Sequence, residues 1–267
     1  MMAIFWRTIK DRKVSLIVYC VAAILFLWMY IALFPSMQAQ SETLNKAYEN
    51  MPEGFYKAFG IEELNISTIE NFVAMEHFSM IWPIMVIIML MAIAGTGLAG
   101  EIERGTAEIL LSRPVSRVKI FFARYMSGVF SLLIFTIVSI FTIVPLAAIH
   151  GVTYHLENFA YVAIISFLFG WVIFSLAMMC SAFFSERSRV YMVSGSILLV
   201  MYVLNIAAAL KESLKDLKYL SFFHYYNYND ALIRHTLSLN DILVFVGVAV
   251  VCTIVGVWWF KKRDMAV

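Results

Sequence analysis

The chain has 267 residues, of which 62% are hydrophobic and 14% are charged. Soluble globular proteins have roughly 45–50% apolar and about 25% charged residues, so this composition excludes a soluble fold. The net charge of +2 and the lack of a basic stripe indicate no nucleic-acid partner. All three cysteines fall inside apolar runs without metal-ligand spacing, which indicates buried free thiols.

Six apolar runs are long enough to cross a membrane, which takes about 20 helical residues. The sequence therefore predicts an all-α, polytopic membrane protein that forms a single transmembrane domain over residues 1–267. Asp241, at the edge of the last run, is the only Asp, Glu, Lys or Arg within them. The predicted spans are residues 14–34, 79–99, 125–149, 159–183, 190–210 and 241–260.

Six spans place both termini on the same side of the membrane. The segments on that side contain fourteen Lys and Arg residues, and the opposite segments contain six. Because positive residues are enriched in cytoplasmic loops, both termini are predicted to be cytoplasmic. We expect a multi-pass protein of the cell membrane, of prokaryotic origin.

Three further segments outside the spans have their own patterns. Residues 1–13 place Phe5 and Trp6 on an apolar face, which predicts an interfacial amphipathic helix, with a frayed tail as the alternative. Residues 35–78 predict an outer helical cap, in which Pro35 ends the first span. Ser67 with Glu70 forms a capping box that opens a helix running toward the second span. Residues 211–240 form a second outer segment before the last span.

Aromatic and histidine residues near the span ends have ordinary explanations. An aromatic belt at the membrane interface accounts for Trp28, Tyr30, Trp82, Trp258 and Trp259. The histidines fall at or beyond the outer face without helix-face pairing, which favours surface residues over a metal site. These histidines are His77, His150, His155, His224 and His235.

Small and polar residues within the spans predict helix contacts. Gly95 and Ala99 have the small-xxx-small spacing that permits close helix packing. Asn205 in the fifth span must either hydrogen-bond to a neighbouring helix or line a wet path.

The link between the second and third spans, residues 101–117, has the strongest local pattern. Gly105 permits a sharp turn, Thr106 can cap a short helix, and Pro114 stops that helix. Ser116 can then cap the helix of the third span. The short helix carries consecutive apolar residues that need a cover, which is either the bundle itself or another protein.

This link reads Glu-x-Glu-x-Gly-Thr-x-Glu-x-Leu-Leu-Ser-x-Pro-Val-Ser-Arg and resembles the corresponding segment of type-2 ABC transporter permeases. Residues 258–264, Trp-Trp-Phe-Lys-Lys-Arg-Asp, resemble the sequence that ends the sixth span in this family. Residues 220–226 resemble its outer segment, although Phe222 stands where a proline is frequent.

The resemblance implies the permease subunit of an exporter, in which residues 107–112 form a coupling helix that docks on a cytosolic ATPase. ATP and Mg would bind the ATPase subunit dimer, and no cofactor is expected in this chain. Membrane lipid is the expected surrounding. The residues to which the resemblance gives a coupling role are Glu101, Glu103, Gly105, Thr106, Glu108, Leu110, Leu111, Arg113, Pro114 and Arg117.

The resemblance also implies a second permease copy, either identical or related. The second and fifth spans would face it, which places Gly95, Ala99 and Asn205 near the dimer axis or the transport pathway. A mainly apolar pathway would suit amphipathic or lipid-like cargo and peptides.

The alternatives are a non-transporting membrane scaffold and an ion-coupled secondary transporter. An ion-coupled carrier normally has a charged relay at mid-membrane, which this sequence lacks. The sequence also has no Gly-x-x-x-x-Gly-Lys-Ser/Thr loop, so ATP-driven transport would need a second chain as motor. A scaffold explains the bundle but not the capped, proline-stopped cytosolic helix.

Overall fold

A computed structural model describes residues 2–49, 65–106 and 115–263. Its regular structure in these ranges is helical, and six helical segments are long and apolar enough to cross a membrane. This confirms the predicted all-α fold with six spans. We number the spans 1 to 6 in chain order: Met2–Ala39, Ile69–Gly97, Arg117–His150, Leu156–Phe183, Arg187–Leu210 and Leu239–Lys262.

Span 1 is one continuous helix that extends beyond both predicted boundaries. No break separates residues 2–13 from the apolar run, so the orientation of these residues along the membrane surface stays a prediction. Pro35 lies inside the helix, and the prediction that it ends the helix is wrong. Phe34, next to the proline, is buried and packs on Phe72 at 5.8 Å between ring centroids. A short helix, Ser41–Glu49, follows.

Span 2 begins ten residues earlier than predicted and contains three helical segments. These are an α-helix at Ile69–Val73, a π-helix at Ala74–Ile81 and an α-helix at Trp82–Gly97. The N-cap is Thr68, whose side chain accepts a hydrogen bond from the Asn71 N–H, and not the predicted Ser67. Hydropathy missed this first part because it contains polar residues such as Glu70, which is buried inside the protein.

Span 3 consists of two helices, Arg117–Phe141 and Ile143–His150. The side chain of Ser116 accepts a hydrogen bond from the Lys119 N–H, which confirms the predicted N-cap.

Span 4 forms the centre of the bundle. Of its most apolar 18-residue window, 67% is buried, against 22% for span 6 and 11% for span 5. Spans 2 and 3 pack closely against it, because a Cβ at Gly170 would lie 2.6 Å from Leu132 and 3.4 Å from Val86. Span 5 leaves most of its surface uncovered by the rest of the described chain.

Two of the five predicted interfacial aromatic residues lie in the core instead. Trp82 is fully buried, and its Nε1 donates to Ser139 Oγ at 2.9 Å. Tyr30 is also buried, whereas Trp28, Trp258 and Trp259 are exposed as an interfacial belt requires. The prediction failed because position along a span does not reveal which face of the helix another helix covers.

The segment between spans 5 and 6 packs onto the bundle. It contains a 3₁₀-helix at Glu212–Leu220 and two short α-helices at Phe222–Tyr225 and Tyr228–Leu232. Phe222 and Tyr226 are buried. Asp241 at the start of span 6 is also buried, and it accepts a hydrogen bond from Asn227 Nδ2 at 2.6 Å.

Candidate functional site

The link between spans 2 and 3 begins at the end of the bundle that carries both termini. A short helix, Ala99–Glu103, leads into a turn at residues 104–106. Gly105 has φ of +68°, a left-handed conformation that glycine adopts without strain, and this confirms the predicted sharp turn. The Thr106 N–H donates to the Glu101 carbonyl oxygen at 3.0 Å, which closes the turn.

Glu101 joins this turn to spans 1 and 3. Its Oε1 accepts a hydrogen bond from Arg124 Nη2 at 2.7 Å, and its Oε2 accepts one from Thr106 Oγ1 at 2.7 Å. Arg124 Nη1 donates to Thr8 Oγ1 in span 1, also at 2.7 Å. The Arg124 and Glu101 side chains are only 12% and 24% exposed, so water screens this ion pair less than a surface pair.

Glu103 joins the same turn to span 5. Its Oε2 accepts hydrogen bonds from the Arg187 backbone N–H at 3.1 Å and from Arg187 Nε at 2.9 Å. These contacts hold the pKa of the Glu103 carboxyl below its usual range. Because Arg187 is the first residue of span 5, the carboxylate also occupies the helix start, where N–H groups need acceptors.

Ser181 joins the end of span 2 to span 4. The helix is interrupted between Gly97 and Ala99, and the N–H groups of Leu98 and Ala99 donate to Ser181 Oγ at 3.2 and 3.0 Å. Sequence analysis missed this residue, since a serine in an apolar run gives no sign of the backbone that it caps.

Arg263, which follows span 6, holds the other end of the link and the connection between spans 4 and 5. Its backbone oxygen accepts a hydrogen bond from Arg117 Nη1, and its own Nη1 donates to the carbonyl oxygens of Ala182 and Phe184, both at 3.0 Å. Burial lowers the pKa of the Arg263 guanidinium. Sequence analysis noted this basic cluster only as part of the family resemblance.

These contacts form one layer of polar groups at the terminal end of the bundle, which we call the polar layer. It connects the link between spans 2 and 3 to each of the other four spans. The polar layer consists of Thr8, Glu101, Glu103, Thr106, Arg117, Arg124, Ser181, Arg187 and Arg263.

The central part of the link lies outside the described residues. The predicted coupling helix at residues 107–112 is there, and so are five of the predicted coupling residues. These are Glu108, Leu110, Leu111, Arg113 and Pro114. Glu101, Glu103, Thr106 and Arg117 are described, and each has the partner given above within its own chain.

The residues predicted near the dimer axis divide into two groups. Gly95 is buried, and a Cβ there would lie 2.3 Å from the Tyr191 ring of span 5. Ala99 is fully buried beside Cys180 and Val190. The chain's own residues thus cover Gly95 and Ala99, and their placement near the dimer axis or the transport pathway stays a prediction. Asn205 is half-buried on span 5, and no hydrogen bond joins its side chain to any other described residue.

One of the five histidines contradicts the prediction of surface positions. His77 is fully buried, within 6 Å of the Tyr30 and Phe78 rings, and neither ring nitrogen has a hydrogen-bond partner among the described residues. His155 is exposed and contacts Glu70 at 3.2 Å. Within residues 2–49, 65–106 and 115–263, no three His, Cys, Asp or Glu side chains come close enough to hold a metal ion.

A family model described as "ABC-2 family transporter protein" matches residues 2–265. The chain belongs to the ABC-2 transporter family. The match covers nearly the whole chain and confirms the resemblance seen in the link, the outer segment and the chain end. No curated protein matches this ABC-2 chain. As members of this family are membrane-spanning transporter subunits, the six spans are those of a transporter permease.

Proposed function

We propose that this ABC-2 protein is the permease subunit of an exporter, driven by a pair of cytosolic ATPase subunits on separate chains. ATP and Mg bind those ATPase subunits, and this chain supplies the membrane path without catalysing a reaction. Both termini and the link at residues 101–117 face the cytoplasm of a prokaryotic cell. The family match over residues 2–265 supports the transporter assignment.

The polar layer is the main structural support for a role of this link in coupling the ATPase to the membrane helices. A short docking segment can move a bundle only if it is fixed to the helices that must move. The residues before it contact spans 3, 4 and 5 through Arg124, Ser181 and Arg187. Arg124 in turn donates to Thr8 of span 1. The residues after it contact the end of span 6 through Arg117. A force applied at residues 107–114 therefore reaches every span through hydrogen bonds and ion pairs.

Glu101 and Glu103 act from within the permease in this mechanism. Their carboxylates hold the turn on the bundle, so they position the docking segment rather than contact the ATPase. Leu110 and Leu111 remain the proposed apolar anchors in a groove of the ATPase, with Glu108 and Arg113 orienting the contact. Arg117 holds the end of the segment on the Arg263 carbonyl oxygen, as Glu101 and Glu103 hold its start.

The experiment is co-purification of the tagged permease with its ATPase after the Leu110→Asp substitution. A charge placed in a desolvated apolar contact is expected to reduce the recovered ATPase at least about tenfold. Leu220→Asp is the matched control, because Leu220 is 61% exposed in the outer segment at the opposite end of the bundle.

Membrane insertion must be equal in both variants, as judged by the amount of folded permease on size-exclusion chromatography. The proposal is supported if only Leu110→Asp releases the ATPase. Full ATPase recovery with Leu110→Asp would overturn the docking role of residues 107–112.

A further inference from the structure

A cavity of about 190 Å³ lies between spans 1, 2 and 3, one helical turn from the polar layer. Arg12 and Ser15 of span 1 line it, together with Thr96 of span 2 and Ser131 of span 3. A single water molecule needs only about 10–15 Å³ of such a cavity, so this volume leaves room for a phosphate group.

Arg12 makes neither a hydrogen bond nor an ion pair with any other residue in the described part of the chain. A guanidinium has five N–H donors and keeps its charge at physiological pH, so Arg12 can bind an anion through several hydrogen bonds. Among the charged groups within electrostatic range, Arg124 and Arg104 repel Arg12, whereas Glu101 attracts it. An anion in the cavity would give the Arg12 guanidinium an acceptor and an opposite charge.

The nearby carboxylates are already bound to other cations. Both oxygens of Glu101 accept hydrogen bonds, from Arg124 and Thr106. Asp11 also lines the cavity, but its carboxylate is exposed and lies 3.9 Å from Arg7. The cavity is therefore lined by the Arg12 guanidinium, by hydroxyl groups and, at its exposed side, by the Asp11 carboxylate. A phosphate oxygen would bind on the Arg12 side, away from Asp11.

The rest of the cavity lining is apolar and leads deeper into the bundle. Thr8 marks the level of the polar layer, and Arg12 lies one helical turn further along span 1. Tyr19 is seven residues beyond Arg12, about 10 Å at 1.5 Å per residue. Leu16 and Met89 line the cavity between these levels. An anion at Arg12 would thus have an apolar surface on the side that faces the membrane interior.

The cavity also has an opening to the protein surface. Asp11 and Ser15 line it and are exposed, and Val14 and Val18 beside them are exposed apolar residues on the outside of span 1. A molecule in the surrounding bilayer can therefore reach Arg12 without crossing the bundle.

We propose that this cavity binds the phosphate headgroup of an anionic lipid or lipid-like amphiphile, with Arg12 as its principal ligand. Ser15 offers its hydroxyl group to a second phosphate oxygen, and one acyl chain follows the apolar lining. The hydroxyl groups of Thr96 and Ser131 already donate to the carbonyl oxygens of Ala92 and Ser127, so these two residues shape the cavity without donating to the phosphate. Basic pockets between membrane helices near the bilayer surface bind lipid headgroups in this way.

The test measures binding of phosphatidylglycerol to the full-length permease in detergent, by native mass spectrometry and by the shift in unfolding temperature. Diacylglycerol with the same acyl chains supplies the tail without the phosphate, and inorganic phosphate supplies the anion without the tail. We expect phosphatidylglycerol to bind more tightly than either probe.

Three variants locate the site. Arg12→Gln is expected to weaken phosphatidylglycerol binding at least about tenfold, as befits the loss of a charge-assisted contact. Lys13→Gln removes the same charge from the adjacent exposed position and is expected to leave binding unchanged. Ala92→Leu adds volume to the cavity lining without changing any charge and is expected to weaken binding as Arg12→Gln does.

Equal effects of Arg12→Gln and Lys13→Gln would show only a general attraction of basic residues to anionic lipid and would overturn the site. Unchanged binding in Ala92→Leu would also overturn it, and this variant serves if Arg12→Gln does not fold. If inorganic phosphate bound as tightly as the lipid, the ligand of the cavity would be a free anion and not an amphiphile. The ATPase plays no part in these measurements, so this site can fail while the coupling proposal holds.

Discussion

Glu101 shows how a charged residue can have a structural role at the end of the bundle that carries both termini. Its carboxylate bonds to Arg124 and to Thr106, and Arg124 in turn bonds to Thr8. Removing one member of such a group leaves the other charge partly buried without a partner, which costs more than the ion pair itself contributes. The energetic importance of Glu101 therefore comes from its surroundings.

The Glu101→Gln substitution is expected to lower the free energy of unfolding by about 1–2 kcal/mol, a value reduced for the partial exposure of the pair. Thermal unfolding of the permease in detergent measures this effect. Glu186→Gln is the matched control, because Glu186 pairs with Arg189 at an exposed site and is expected to change stability by no more than about 0.5 kcal/mol. Equal melting temperatures for the two variants would contradict a structural role for Glu101.

At the scale of the single helix, span 4 determines how closely the other spans approach. Gly128 of span 3 lies against Phe174 of span 4, and a Cβ at position 128 would lie 2.0 Å from the ring. Phe174 is fully buried, so its ring has no free space into which to move. The close contact between spans 3 and 4 therefore depends on glycine at position 128, which has no side chain.

Gly128→Ala is expected to destabilise the bundle by about 1–3 kcal/mol, because overpacking forces the neighbouring helices apart. Gly247→Ala in span 6 is the control, since a Cβ there would meet nothing within 4 Å. This control is expected to be neutral or to stabilise by up to about 1 kcal/mol, as alanine favours a helix over glycine. A Gly128→Ala protein as stable as the control would show that spans 3 and 4 can separate at low cost.

At the scale of the whole molecule, span 5 is the least covered of the six. Only 11% of its most apolar window is buried, and Leu199 and Val203 are 63% and 54% exposed. Span 2 is 56% buried in the same comparison, so span 5 contributes more free surface than span 2 to a contact outside the chain. We propose span 5 as the main contact with the second permease copy, with Asn205 near that contact.

A cysteine at Val203 is expected to form a disulfide-linked dimer under mild oxidation in native membranes, because the second copy brings an identical cysteine nearby. Ile254→Cys in span 6 is the control, at a position that is 62% exposed. The three native cysteines are free and buried, so they contribute little background crosslinking. Dimer yields that are equal at both positions would contradict a contact centred on span 5.

The parts of this structure that follow from local chemistry were predictable. The six spans follow from hydropathy, the turn at Gly105 from its lack of a side chain, and the start of span 3 from the hydroxyl of Ser116. The capping-box spacing at Ser67 and Glu70 predicted a helix before span 2 to within one residue of its observed start. Hydropathy did not include this helix in the span, because Glu70 and His77, which normally mark a loop, are buried there by other helices.

The sequence by itself determined that this is a six-span membrane protein and, through its motifs, an ABC-2 transporter. Only the tertiary structure decided which face of each helix is covered. In that structure Trp82 and Gly95 are buried by their own chain, whereas most of span 5 is exposed. The polar layer consists of residues from six separate segments. The reason is physical: hydropathy and capping act over a few neighbouring residues, whereas burial and ion pairing depend on residues as far apart as Arg117 and Arg263.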